Sequence, residues 1–215
     1  MKSVLLIGVG TFGTLIAKEL YELGHEVMAI DRHENNINEI MPYVTNAQIG
    51  DSTSKTFLSS LGINHYDVCI VTIGDDFQSS LVTTSLLKEL GAKYVVSRSE
   101  QDVQSRFLLS NGCDMIINPK KQMANWTAIR CTSNHLLDYI QLGGEYGIFE
   151  IEIPESWIGK TIAEINIRQK YGINIIGIKT NGILNMAIDP KQPFKADIAL
   201  SVIGKYDKVK ECFNF

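Results

Sequence analysis

The sequence has no apolar stretch near the ~20 residues that a membrane-spanning helix needs, so no span is expected. It is short of positive charge. Lys and Arg number 20 against 24 Asp and Glu, the net charge is −4, and no basic cluster is longer than Lys120-Lys121. Nothing in this pattern points to a nucleic-acid-binding face. Cysteine is sparse and scattered: Cys69, Cys113, Cys131 and Cys212 form no CxxC pair. Reduced thiols are therefore expected and a zinc site is not, with Cys69 a small core residue in an apolar strand. His25, His33, His65 and His135 likewise form no pair at metal-ligand spacing. The chain opens on Met1-Lys2 and runs straight into a strand and a glycine loop, so a cleaved leader is not expected: its removal would destroy that loop.

What is present is ordinary globular material, 45% hydrophobic and 20% charged over 215 residues, enough for one large or two small domains. Its most informative stretch is Gly8-Val9-Gly10-Thr11-Phe12-Gly13. The apolar run Ser3 to Ile7 leads in, and a helical pattern from Leu15 to Leu20 leads out. A second apolar run, Glu26 to Ile30, ends on Asp31. This is strand, glycine turn, helix, strand, acid. Gly8 allows the tight turn, Gly10 lets a pyrophosphate approach bare backbone, and Gly13 lets the helix lie close on the sheet. The N–H groups and dipole of that helix suit phosphate, and Asp31, eighteen residues past Gly13, suits a ribose diol.

The pattern then repeats. Glu34 to Met41 reads as a helix with Ile37, Ile40 and Met41 inward. Ala47-Gln48-Ile49 reads as a strand closed by Gly50-Asp51-Ser52, and Ser54 as the cap of a helix carrying Phe57, Leu58 and Leu61. Asp67 to Ile73 is a buried parallel strand entering Gly74-Asp75-Asp76. Phe77 to Leu90 is a helix whose apolar stripe is Leu81, Val82, Leu86, Leu87 and Leu90. Tyr94 to Ser97 is a strand ending on Arg98, Gln101 to Ser110 a helix, and Met115 to Ile117 the sixth strand. Strands alternating with helices at these spacings predict an α/β protein with a Rossmann-like, doubly wound parallel sheet. Ligands of such sheets bind at the carboxyl ends of the strands, where Gly8, Asp31, Asp51, Gly74 and Arg98 converge, Arg98 as a planar fork for anionic oxygens.

Met123 to Leu142 reads as helical, with Trp126, Ile129, Leu136, Leu137, Tyr139 and Ile140 apolar and Thr132-Ser133-Asn134 interrupting. The expectation is a helix-turn-helix that serves as linker and dimer contact. After Gly143-Gly144, Ile148 to Ile153 alternates as a half-exposed strand, and Thr180-Asn181-Gly182 predicts a hairpin. A last strand from Ile198 and a last helix from Lys205 complete a small α+β domain. The expected domains are residues 1–134 and 135–215.

These two halves together resemble the RCK (regulator of potassium conductance) subunits of bacterial Ktr/Trk potassium uptake systems, of the KtrA/TrkA type. The resemblance spans essentially the whole chain. It rests on Gly8 to Gly13, Gly24-His25-Glu26-Val27 to Asp31, Gly50-Asp51-Ser52, Ile73-Gly74-Asp75, Gly112-Cys113-Asp114 and Asn118-Pro119. In the second half it rests on Gly159-Lys160-Thr161-Ile162, Tyr171-Gly172 and Asp197 to Gly204. It implies a non-enzymatic cytosolic gating subunit, peripheral to the inner face of the membrane. Homodimers would assemble into an octameric ring on an integral-membrane potassium-translocating subunit (KtrB/TrkH-like). It implies an adenine nucleotide (NAD, NADH, ATP, ADP or AMP) held by Gly8, Gly10, Thr11, Phe12, Gly13, Asp31, Arg32, Asp51, Ser52, Gly74 and Arg98. For the second domain it implies a cyclic di-AMP site at Arg168, Asn174 and Ile175.

Three positions depart from the family pattern. Thr11 stands where ATP-sensing members carry Arg, His33 where they often carry Asn, and Lys120 where an acid helps hold a cation between subunits. These departures shift the expected ligand toward a dinucleotide or AMP-like molecule, and Asp31 favours NAD over NADP. The main alternative is a small NAD-dependent oxidoreductase. The same glycine fingerprint serves dehydrogenases, and the chain has the Tyr-x-x-x-Lys spacing at Tyr206 and Lys210, though outside the glycine-turn half and without a catalytic serine. A nucleotide-sensing module of another transporter is the third reading.

Overall fold

The computed structural model describes every residue except Asn134 and Phe215. It divides into two compact units, Met1–Gln122 and Met123–Phe215.

The first unit is built on a 6-stranded sheet in the order β3-β2-β1-β4-β5-β6. The strands are β1 (Ser3–Ile7), β2 (Glu26–Asp31), β3 (Asn46–Ile49), β4 (Val68–Val71), β5 (Val95–Arg98) and β6 (Met115–Ile117), and every pairing is parallel. The connecting helices are α1 (Thr11–Glu22), α2 (Glu34–Ile40), α3 (Lys55–Ser60), α4 (Phe77–Glu89) and α5 (Asp102–Ser110). Central β1 is apolar and buried from Val4 to Ile7 because both its faces are covered. Leu5 and Ile7 join Leu58, Cys69 and Leu87 in one core, and Leu6 joins Ala17, Val27, Ile37 and Ile40 in the other. Burial pushes the Cys69 thiol up to about 12, which keeps it a protonated core residue. The chain reverses its winding between β1 and β4, and this switch point opens a crevice at the strands' carboxyl ends.

Two details of this half differ from expectation. Met41 is 60% exposed, because α2 ends at Ile40 and a tight turn follows. On α4 the buried residues are Ser80, Thr83, Thr84 and Leu87, while Val82 faces outward and Leu81, Leu86 and Leu90 are only half-buried. Two of these three hydroxyls have partners, Thr83 meeting Ser52 and Thr84 meeting Ser97, each at 2.8 Å, while Ser80 Oγ is buried without one among the described residues. A buried hydroxyl with a partner carries little of the penalty of an orphaned one. Apolar content alone therefore misjudged which stripe faces the sheet.

Helix α6 (Pro119–Thr132) crosses the division, and a 5-stranded antiparallel sheet in the order β10-β9-β11-β8-β7 follows. Its strands are β7 (Leu136–Gly143), β8 (Tyr146–Glu152), β9 (Asn174–Thr180), β10 (Ile183–Asn185) and β11 (Ile198–Lys205). Helices α7 (Ile162–Ile165), α8 (Ile167–Tyr171) and α9 (Tyr206–Phe213) pack on one face. The expected helix-turn-helix is not formed. Up to Thr132 the chain is helical, Asn134 lies outside the described residues, and Leu136–Gly143 is a strand. The misleading signal comes from strand pairing. Leu136 pairs with Ile151 and Asp138 with Glu150, so one extra residue bulges between them. Leu136 and Tyr139, three apart, therefore both reach the core and imitate helical spacing. The β9–β10 hairpin does form over Asn181-Gly182, with both residues at positive φ (50° and 80°), as a two-residue turn of this kind requires.

Phe149 is fully buried at the centre of this second core, stacked on Tyr139 at 4.9 Å between ring centres. Phe149→Ala is expected to cost about 3–5 kcal/mol by combined loss of burial and cavity formation, measured by urea denaturation.

Candidate functional site

The site is built first from backbone. Gly8 leaves β1 at φ +90°, a conformation that strains any residue with a side chain. Its turn brings Gly13 of α1 against the Gly8 carbonyl. A Cβ on Gly13 would overlap that oxygen and lie 2.8 Å from Thr72 Oγ1. Thr72 locks the turn from the far side, its hydroxyl donating to the carbonyls of Ile7 and Gly8. Gly13 thus supports the site from beneath and does not line it. Gly10 is different. It has an ordinary φ of −73°, and a Cβ there would meet no described atom within 4 Å. Packing therefore does not demand glycine at this position; the space beside it is the cleft. Gly10 is also the N-cap residue of α1, whose first turn carries no acid and no capping side chain. The N–H groups of such a helix start, at the positive end of its dipole, suit an anion.

The cleft has a volume of about 510 Å³. It is lined by Gly8, Gly10, Thr11, Phe12, Asp31, Arg32, Asp51, Ser52, Gly74 and Arg98, so of the expected residues only Gly13 stands behind the wall. Asp31, at the end of β2, is 8% exposed. Its Oδ2 accepts from the Val9 N–H at 2.7 Å, and its Oδ1 accepts from the His33 N–H at 2.8 Å with His33 Nδ1 at 3.1 Å. Burial alone would raise its pKa. The hydrogen bonds from His33 and Val9 backbone and from the Asn36 and His33 side chains outweigh this and hold the carboxyl below the usual range. Asp31 therefore ties the glycine loop to the β2 end as well as facing the cleft.

Arg98 crosses the opposite wall. Its guanidinium lies over bare Gly74, where an added Cβ would sit 2.7 Å from Cζ, and 5.8 Å from the centre of the Phe12 ring. Asp76 caps α4, accepting from the Ser79 N–H and hydroxyl at 3.0 and 2.6 Å. Ser52 Oγ, bonded to Thr83, and Asp51, bonded to Thr53, form the β3 rim. The cleft also contains His33, Asn36, Thr53, Asp75, Asp76 and Ser79, which were not among the expected site residues. Asp75 and Asp76 lie in the short connection from β4 to α4, beside Gly74, so that position could have marked them. Asn36 and Ser79 lie a turn inside helices, and only the helix register brings them to the cleft.

Arg168, Asn174 and Ile175 lie in the second unit, on α8 and at the start of β9. Arg168 and Asn174 are exposed; Ile175 is half-buried against the core. Tyr206 packs there too, 6.3 Å from the Tyr139 ring and 6.1 Å from that of Phe149, which gives it a packing role. The cleft itself belongs to the first unit, so the Tyr206–Lys210 pair is not among its lining residues. Among the described residues, no group of three or more His, Cys, Asp or Glu is placed to hold a metal ion, and no helix is long and apolar enough to cross a membrane.

Fold and site together define a Rossmann-like α/β unit with a glycine-turn cleft, followed by a small α+β unit. Residues 4–119 match the TrkA-N domain and residues 148–214 the TrkA-C domain. The chain belongs to this TrkA family, with the Ktr potassium uptake proteins among its relatives. It is 40% identical over 178 residues to the Ktr system potassium uptake protein C of Bacillus subtilis, covering 83% of this chain and 80% of that protein. It is 35% identical to Ktr system potassium uptake protein A of the same organism, over 99% of this chain and 96% of that one. Of solved structures, the GsuK channel superposes with a TM-score of 0.71 at 17% identity, covering 99% of this chain and 39% of the channel chain. The GsuK channel bound to NAD gives 0.69, at 17% identity, over 98% of this chain and 38% of that one. This likeness establishes a shared RCK fold.

Two outcomes follow from the loop geometry. Gly13→Ala should destabilise the protein by about 1–3 kcal/mol through overpacking against backbone, whereas Gly10→Ala should leave the denaturation midpoint nearly unchanged. Asp31→Asn should cost about 1–3 kcal/mol at pH 7, where the charged acceptor is lost. A depressed carboxylate stabilises the fold above its unfolded pKa and loses that contribution as pH falls through the folded value. The gap between Asp31→Asn and the parent should therefore narrow below about pH 4 in denaturation series.

Proposed function

We propose that this chain is the nucleotide-sensing regulatory subunit of a Ktr-type potassium uptake system, acting on a potassium-translocating membrane protein from the cytoplasmic side. The observation that carries the reading is Gly10. No described residue packs close enough to require glycine there, yet its open side faces a cleft whose walls hold Asp31, Ser52 and Arg98. An adenine nucleotide accounts for that arrangement: phosphates at the α1 N-terminus and Arg98, ribose at Asp31. The names of the relatives supply the transport role, since they are potassium uptake proteins over most of their own length.

Regulation then follows from linkage. A nucleotide moves a conformational equilibrium only by its difference in affinity between two states; equal binding to both changes nothing. A homodimer within an octameric ring would transmit that difference to the translocating subunit. The residues of α8 and β9, Arg168, Asn174 and Ile175, extend the proposal to cyclic di-AMP as a second ligand of the second unit.

The test is a thermal-shift panel with ATP, ADP, AMP, NAD, NADH and cyclic di-AMP, with and without Mg2+, since a ligand of the folded state raises the midpoint by mass action. At least one adenine nucleotide is expected to stabilise the parent and to leave Gly10→Asp, folded by circular dichroism, unshifted. A parent unmoved by every nucleotide, or a Gly10→Asp variant with normal affinity, would overturn the site assignment.

A further inference from the structure

Arg98 does not wait in the cleft as a free cation. Its Nη2 donates to Glu100 Oε1 at 2.6 Å, while its Nε is buried without a hydrogen-bond partner among the described residues. The arginine side chain is 17% exposed and the glutamate 27%, so their pairing is partly shielded from water. Glu100 is also held from the other side. Lys120, in the first turn of α6, reaches both its oxygens, at 2.8 and 2.9 Å. The Glu100 backbone is fixed as well, its N–H donating to Gln104 Oε1 at 3.0 Å beside the start of α5. Lys120 and Arg98 together keep the Glu100 carboxyl below the usual carboxylate range, so it is charged at neutral pH.

We infer that Glu100 is a charge-selecting residue of the cleft: an internal anion on Arg98 that a ligand phosphate must displace or sit beside. The inference rests on the cleft being a nucleotide site. A terminal phosphate carries roughly two negative charges near neutral pH, and a bridging phosphodiester fewer. Repulsion from Glu100 therefore weighs more against a nucleoside triphosphate than against a dinucleotide, whose phosphates are both bridging. Lys120 tempers the effect. It shares the Glu100 oxygen that Arg98 holds and adds a positive charge of its own, so its loss should leave Glu100 paired to Arg98 alone. Neither residue lines the cleft, and both act through Arg98.

The experiment is a calorimetric titration of ATP and NAD into full-length parent, Glu100→Gln and Lys120→Gln, at low and high salt, with ligand-free thermal midpoints as the folding control. Glu100→Gln should bind ATP about 2–5-fold more tightly, as expected for removing one partly exposed like charge, and NAD by a smaller factor. Lys120→Gln should weaken ATP binding, the opposite sign. The gain in Glu100→Gln should shrink at high salt. Glu100→Gln that binds ATP while the parent does not would also support the inference. A folded Glu100→Gln with unchanged affinities, or with one equal change for both ligands, would overturn it and leave the nucleotide site standing. If neither parent nor Glu100→Gln binds ATP or NAD, the nucleotide site fails and this inference fails with it.

Discussion

The close seating of α1 on the end of β1 is the constraint on which the rest depends. Gly13 has no Cβ, so the helix start can lie against the Gly8 carbonyl, and Thr72 of the neighbouring strand connection holds the same carbonyl. Move the helix outward by one methyl group and several things change together. Its N–H groups no longer point over the β1–β4 crevice, Phe12 leaves Arg98, and Val9 leaves Asp31. The site is an arrangement of backbone, positioned by the absence of side chains and pinned by a few hydrogen bonds.

Those pins show how a residue of the cleft serves the fold as well. Asp31 accepts from Val9 and His33, and so fixes the loop that it borders. Arg98 is seated by bare Gly74 on one side and Glu100 on the other. Around the cleft, hydroxyl pairs (Ser52 with Thr83, Thr84 with Ser97) let α4 press polar residues onto the sheet. The elements facing the cleft are thus tied through α4, which also supplies Ser79 and, at its cap, Asp76. Ser52 after β3 and Ser97 on β5 are held by one helix.

Much of this was readable in the sequence because it depends on short-range rules. The glycine spacing, the apolar strands and the acid ending β2 each constrain only a few neighbouring residues. So does the Asn181-Gly182 turn, since both positions need positive φ. The family resemblance adds to this by joining such pieces in order. What escaped were features set by partners distant in the chain. The strand at Leu136–Gly143 read as helix because a bulge against β8 placed Leu136 and Tyr139 on one face. The buried stripe of α4 read as leucine because the hydroxyls that make Thr83 and Thr84 welcome come from Ser52 and Ser97. Asn36 and Ser79 reach the cleft only through the final register of their helices.

By itself, then, the sequence determined the order of strands and helices in the first unit, the glycine turn and the strand-end acid. Local backbone sterics and periodic burial decide those without reference to the rest of the chain. Only the tertiary structure decided which groups share charge. Arg98, Glu100 and Lys120 come from the end of β5, the loop after it and the start of α6, and they meet because the parallel sheet brings those ends side by side. The strength of such a cluster falls with separation and with exposure to water. Its effect on a ligand therefore belongs to the folded arrangement and to no segment of the chain alone.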